Sequence, residues 1–267
     1  MRQNVIRKTD GTVPSGRNAT ADRAIDVLLL FTEQQPVLTA EEVSERLGMS
    51  RSTTYRYLQS LRSSGLVEDD TSSGGFRLGP EILRLARVAR QGLGLPELAL
   101  PIMQELSKQT SESVILTRRA GQQVICIERV ESVHRVRLSY ERGQVLPLHA
   151  GASAKVLLAF LPQDEIEAVL RMGPFPRYTA RTMTDPATLR QQLEAIRARG
   201  YAMSEGEVDD GVRGIAAPIW KTNGEIAAGL SVAGPAFRLN EQTLPQVIEA
   251  VKQAASKISD RLHEHEQ

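Results

Sequence analysis

The sequence predicts an α+β protein in two parts: a helical N-terminal third and a larger region where antiparallel strands alternate with helices. Three observations predict this. Residues 21–78 read as helix, short capped helix, tight turn, helix, then two short strand-forming runs around a Ser/Gly tip. Gly92-Leu93-Gly94 interrupts two successive amphipathic helical patterns. Beyond it, strand-like runs fall in two groups, 113–140 and 201–233, with helical patterns between and at the ends, the make-up of an α+β sandwich. A chain of 267 residues is also long for a single core.

Bulk properties exclude several classes. The hydrophobic fraction of 41% and charged fraction of 24% are those of a globular protein. No apolar stretch approaches the roughly 20 residues of a membrane-spanning helix. Residues 1–19 are polar, lack the apolar centre of a signal peptide and are expected to be a disordered tail. The one cysteine, Cys126, excludes an internal disulfide and suits a reducing cytosol, so a cytoplasmic location is expected. It lies in the apolar run VICI, where a buried, inert thiol is the ordinary outcome. Net charge is +1, with 13 Lys+Arg against 11 Asp+Glu in residues 1–90 and 20 against 21 in the rest. Bulk charge therefore announces no nucleic acid, and DNA binding requires a local patch.

In the first part, Ala24, Val27, Leu28 and Phe31 recur at helical steps and predict a helix from Ala21 to near Gln34. Thr39 with Glu42 three residues on is a capping box, and Gly48 stops that short helix near Leu47. Ser50 caps a third helix, RSTTYRYLQSLRSS, closed by Gly65. Projected at about 100° per residue, its Thr54, Tyr57, Leu58 and Leu61 share one face. Ser52, Tyr55, Arg56 and Gln59 lie opposite, flanked by Arg51 and Arg62, and no acid occurs from Ser50 to Leu66. Arginine suits guanine edges, glutamine suits adenine, and hydroxyls and further arginines suit phosphates. A solvated helix face would look similar in isolation. Directly after this helix, LVEDD and FRLGP around TSSGG make a β-hairpin wing and so a winged helix-turn-helix. The expected DNA contacts are Arg51, Ser52, Thr53, Tyr55, Arg56 and Gln59 on the helix, with Ser72, Ser73 and Arg77 on the wing.

Residues 81–95 are expected to form a linker helix, with Ile82, Leu85, Ala86 and Ala89 on its apolar side and Arg84, Arg87 and Arg90 on its polar side. A further helix runs from Leu95 to about Gln109. Strands are predicted at Ser113–Arg119, Gln122–Val130, Val133–Tyr140, Tyr201–Gly206, Gly214–Trp220 and Glu225–Ala233. Helices are predicted at Ser153–Leu161, Gln163–Met172, Pro186–Arg199 and about Asn240 to His263. The domain plan is thus a tail (1–19), a winged helix-turn-helix (20–80), a linker helix (81–95) and a second domain (96–267).

Three stretches together resemble the IclR family of transcriptional regulators, from about Thr20 to the C-terminus. They are RAIDVLLLF…LTAEEVSERLGMSRSTTYRYLQSLRSSGLVE, GQVLPLHAGASAKVLLAF, and RGYAMSEGEVDDGVRGIAAPIW…GEIAAGLSVAGP. The resemblance implies a GAF-like effector domain behind the DNA-binding domain. It also implies a homodimer or dimer of dimers on near-palindromic operator DNA, with repression the commoner outcome. The chain departs from the family pattern at Ala154, where a glycine usually precedes the junction lysine. It departs also at Gly214, where Cys, Ser or Ala is usual, and at Trp220-Lys221.

The resemblance places an effector pocket where LPLHAGASAKVLLAF turns from strand to helix. Small residues Gly151, Ala152 and Ser153 there expose backbone N–H groups at a helix start, a favourable place for an anion. Ser204, Val212, Gly214, Ser231 and Ala233 are expected to close the pocket, with Leu138 on its apolar side. Ser231 and Ala233 are two apart and so share a strand face. A small carboxylate is the expected effector, and Gly214 is expected to leave room for an aromatic ring. A DNA-binding adaptor without a ligand is the alternative. An enzyme using His149 and Ser153, or Asp209-Asp210, is the least favoured reading, since the chain has no nucleophile elbow, phosphate loop or dinucleotide fingerprint. No cofactor is expected. Neither is a metal: His263 and His265 sit in a charged terminus expected to fray, and His134 has no partner in sequence.

Overall fold

The computed structural model describes residues 19–32, 34–91, 94–134, 138 and 140–266. All of the predicted tail except Ala19 lies outside these residues. The chain divides into two units at the boundary between residues 92 and 93.

In the first unit, helix α1 (Ala19–Leu29) is followed by β1 (Val37–Leu38), α2 (Ala40–Leu47) and α3 (Arg51–Ser63). Then come β2 (Val67–Asp70), β3 (Gly75–Leu78) and α4 (Glu81–Gln91). The capping box forms as read: Thr39 Oγ1 accepts from the Glu42 N–H, and Glu42 accepts from the Thr39 N–H at 2.7 Å. Gly48 ends α2 in the left-handed region, and Ser50 caps α3 by accepting the Thr53 N–H. Two details differ from expectation. Helix α1 stops at Leu29, because the Leu30 and Phe31 N–H groups bond three residues back and Thr32 and Gln35 then exchange both backbone bonds. Strand β1, too short to read in the sequence, pairs with β3, so the wing is a three-stranded sheet of order β1-β3-β2. Val27, Leu38, Val43, Leu58, Leu61 and Val67 form this unit's core.

The second unit begins with α5 (Leu95–Thr110), β4 (Ser113–Ala120), β5 (Gln123–Val130), β6 (Val145–Leu146) and α6 (Ala152–Ala159). It continues with α7 (Gln163–Leu170), α8 (Pro186–Arg199), β7 (Ala202–Glu205), β8 (Val212–Trp220), β9 (Ile226–Pro235) and α9 (Leu244–Glu266). The two strand groups merge into one antiparallel sheet of order β6-β5-β4-β9-β8-β7. Alternation sorts its faces. Val114, Leu116, Ile215, Ala217, Leu230 and Val232 face α5 and α9 and form the larger core. Ala216 faces the other way, with α6 and α8, whose Val156, Leu157, Leu189 and Leu193 fill the second core.

The predicted strand Val133–Tyr140 is corrected. Val133, His134, Leu138 and Tyr140 belong to no strand, and the remaining positions lie outside the described residues. Its place beside β5 is taken by β6, with Val124 opposite Leu146. The C-terminus is not frayed either: α9 runs to Glu266, and the His263 ring bonds the Trp220 carbonyl at 3.1 Å.

Candidate functional site

On α3 the buried residues are Thr54, Leu58 and Leu61, while Ser52, Tyr55, Arg56 and Gln59 are exposed, as the projection requires. The arginines differ in their engagement. Arg51 is paired to Glu41 of α2, and Arg62 makes two bonds to Asp69 of the wing. Arg56 has no hydrogen bond or ion pair among the described residues. It is therefore the guanidinium whose donors need not leave a protein partner. Thr53 is half-buried, and its hydroxyl lies 2.8 Å from that of the cap Ser50. On the wing, Ser72 and Ser73 both donate to one Asp70 carboxylate oxygen at 2.6 Å, and Arg77 pairs with Glu68. Those serine bonds hold the Asp70 carboxyl below its usual range. The wing residues thus brace the hairpin tip before any partner arrives.

In the second unit, the strand-to-helix junction forms a cleft. Gly151, Ala152, Ser153, Ser204, Val212, Gly214 and Ala233 line it, seven of the nine residues predicted. The other two lie just behind. Ser231 is fully buried, its hydroxyl 2.8 Å from that of Ser153, and Leu138 packs beside Ala233, Ile115 and Cys126. Sequence reasoning missed Tyr140, Leu146, Pro147, Ala150, Ala154, Glu207, Val208 and, as a lining residue, Asp209.

Two expectations are corrected here. The first helix N–H groups are not all open: Gly151 donates to Glu207 Oε2 at 2.9 Å and Ala152 to Ser204 Oγ at 2.9 Å. The next two, of Ser153 and Ala154, have no partner among the described residues. Gly214, for its part, does not widen the cleft. A Cβ there would lie 3.3 Å from Ser204 Oγ and 3.4 Å from Ala152 Cβ, so glycine lets the start of α6 lie against β8. The cavity is accordingly small, about 30 Å³, against roughly 300–1,000 Å³ for drug-sized ligands.

The charged pair beneath the cleft is the largest departure from an apolar core. Lys155, on the second turn of α6, is 1% exposed and pairs with Glu207, 8% exposed. Its ammonium also donates to Gln192 at 3.0 Å. Burial pulls Lys155 below its usual value, and the Glu207 charge opposes this. Lys155 falls inside the apolar pattern of α6, a signal that a buried acid must exist elsewhere in the chain.

His149 is a structural hydrogen-bonder rather than a partner of Ser153. It is buried, stacks on Phe175 at 4.8 Å, and bonds the Pro176 carbonyl at 2.9 Å. Burial holds its ring below the usual histidine value. Cys126 is fully buried, and burial with the Glu128 charge pushes its thiol up to about 11, the inert state expected. Tyr140, in the cleft wall, is pushed up to about 12 by burial and Asp209.

Comparison with known proteins settles the family. The family model described as "IclR helix-turn-helix domain" matches residues 20–71, and "Bacterial transcriptional regulator IclR C-terminal" matches residues 88–260. The HTH-type transcriptional regulator KipR of Bacillus subtilis is 35% identical over 92% of this chain and 98% of its own length. A crystal structure of an IclR regulator from Silicibacter superposes with a TM-score of 0.85 at 27% identity, covering 91% of this chain and 96% of that one. An IclR homologue from Microbacterium hydrocarbonoxydans, complexed with 4-hydroxybenzoate, gives 0.75 at 29%, covering 91% and 99%. The chain belongs to the IclR family and is a DNA-binding transcriptional regulator of the helix-turn-helix type.

Proposed function

We propose that this regulator is a repressor of catabolic genes that responds to a small organic acid. The winged helix-turn-helix (20–80) reads one half of a near-palindromic operator. Arg56 and Gln59 address base edges from α3, while Tyr55, Ser52, Thr53, Arg51, Ser72, Ser73 and Arg77 hold the backbone. A half-site read by one winged helix is short, so the acting species is a homodimer or dimer of dimers. The linker segment 81–95, which contains α4, leads to the effector domain (96–267), which also carries oligomerisation.

One observation carries the effector reading: Ser153 and Ala154 present open N–H groups at a helix start inside a cleft, next to the Ser153–Ser231 hydroxyl pair. Backbone donors at the positive end of a helix suit a carboxylate. The relative bound to 4-hydroxybenzoate supports an acid with a ring as one candidate. A ligand acts only through its different affinity for the two states of the protein. A gel-shift titration on operator DNA with aliphatic and aromatic carboxylates tests this, the expected result being release by one class at fixed protein concentration. Light scattering that showed a monomer at micromolar concentration, with and without DNA, would remove the dimer.

The small cavity favours one competing reading, an adaptor that senses no ligand. A thermal-shift screen separates the two, because a ligand that binds only the folded state raises its stability.

A further inference from the structure

Glu207 puts a carboxylate where the carboxylate effector is proposed to go. One oxygen accepts the Gly151 N–H at 2.9 Å and the other pairs with the buried Lys155 ammonium. Gly151 is the cap residue of α6, with φ +86°, and the two open donors, Ser153 and Ala154, are two and three residues on. Glu207 is also tethered through its own backbone. Its carbonyl accepts from the buried Thr182 hydroxyl at 2.7 Å, and the neighbouring Gly206 carbonyl accepts from Thr179. Arg181, between those two threonines, pairs with Glu205. Val208, next in line, comes within 3.3 Å of where a Gly151 Cβ would be. The segment carrying Glu207 thus forms part of the cleft wall, and the carboxylate is its fastening to α6.

We propose that Glu207 is a built-in competitor for the effector, a latch that an incoming carboxylate must release from the Gly151 N–H. The proposal rests on the carboxylate reading of the cleft. Two anions at one helix start repel, and the low local dielectric strengthens that repulsion. An effector seated on Ser153 and Ala154 therefore drives the Glu207 carboxylate from Gly151 onto Lys155 and Gln192. That movement pulls on the Thr182 and Thr179 tethers. The latch sets the ligand concentration at which the cleft opens and favours acids over neutral isosteres only when they can displace it.

The test is calorimetric titration of benzoate, pyruvate and neutral benzamide into full-length wild type, Glu207→Gln and Glu207→Asp, each checked for folding by circular dichroism. Glu207→Gln removes the competing charge and leaves Lys155 to attract the acid. It should bind the preferred acid on the order of tenfold more tightly than wild type, with benzamide unchanged. Glu207→Asp keeps Lys155 neutralised but falls a methylene short of Gly151, and should tighten acid binding less. A folded variant that binds the acid no more tightly than wild type overturns the latch and leaves the carboxylate reading standing. Silence of all three proteins toward both acids overturns both. If neither variant folds, wild type labelled with 15N-glycine decides. The Gly151 amide proton should shift as benzoate or pyruvate saturates the protein, and an unmoved Gly151 resonance at saturation sinks the latch.

Discussion

Replacing Lys155 with methionine keeps an unbranched side chain as far as Cε and removes an ammonium that is only 1% exposed. The Glu207 carboxylate, 8% exposed, is left with the Gly151 N–H as its remaining donor. Removing one partner of a buried ion pair costs about 3–5 kcal/mol. With the Gly151 N–H still in place, the expected loss at pH 7 is at the low end of that range, about 3–4 kcal/mol. For a unit of this size that is roughly 6–15 °C in Tm. Trp220 is the only tryptophan and lies in β8, edge-on to Phe160 at 5.0 Å. Its fluorescence during urea or thermal unfolding therefore reports the second unit alone. The double variant Lys155→Met/Glu207→Gln removes both charges of this pair and should recover most of the loss, since neutral groups of similar volume often replace a buried pair at little cost. A single variant within about 1 kcal/mol of wild type at pH 7, or a double variant no better than the single, would refute the reasoning.

On the DNA-binding side, Arg56→Ala should weaken operator binding by about 1–3 kcal/mol with little effect on random DNA, whereas Arg51→Ala should weaken both alike. Glu41→Gln, which frees Arg51, should tighten random-DNA binding and steepen its salt dependence; gel shifts at two salt concentrations decide these three. Gly214→Leu should cost about 1–3 kcal/mol by overpacking against Ser204 and Ala152. It should also blunt the response to acid while DNA binding survives, and an unchanged half-effective acid concentration would place the effector elsewhere. Burial holds the His149 ring below the ordinary value of 6.5, so the unfolded chain takes up this proton first. The stability linked to it is intact above pH 6.5 and falls as pH drops through 6.5 toward the folded value. His149→Phe should flatten that part of the pH profile in urea titrations.

What the sequence made legible was carried by local signals. The Thr39–Glu42 box, the Gly48 stop and the Ser50 cap each need only a few neighbouring residues, and all three formed. The spacing of Ser231 and Ala233 likewise put both on the side of the sheet away from α5 and α9. The misses depend on partners remote in sequence. Val133 looks like a strand residue, yet it is 82% exposed and the place beside β5 goes to two residues further on, Val145 and Leu146. Gly214 looked like spare volume because nothing in its neighbourhood shows that Ser204 and Ala152 converge on it. Glu207 stands in the acidic run SEGEVDD, just past the predicted strand Tyr201–Gly206, and its partner Lys155 is 52 residues away. A lone lysine among the apolar residues of α6 held the clue, but only to the existence of a partner.

The pairing of β4 with β9 fixes the order in which the chain can be completed. These are the two middle strands, joined from Ser113–Ala233 to Thr117–Gly229, so the centre of the sheet closes a loop of more than a hundred residues. A ribosome adding roughly 5–20 residues per second leaves β4 waiting for several seconds before its neighbour exists. Strands of the first unit pair within it, from β1 to β3, so the DNA-reading half has everything it needs early. The nascent chain thus holds a finished reading head while the second unit is an open sheet with a bare strand edge, the state most prone to stick to its neighbours. A message broken before the codon for Pro235 would yield a complete first unit and a sheet without its full central pairing, and so a DNA-binding module lacking the oligomerisation proposed for the second unit. Such a fragment would meet operator DNA one half-site at a time and hold it more weakly than the intact regulator.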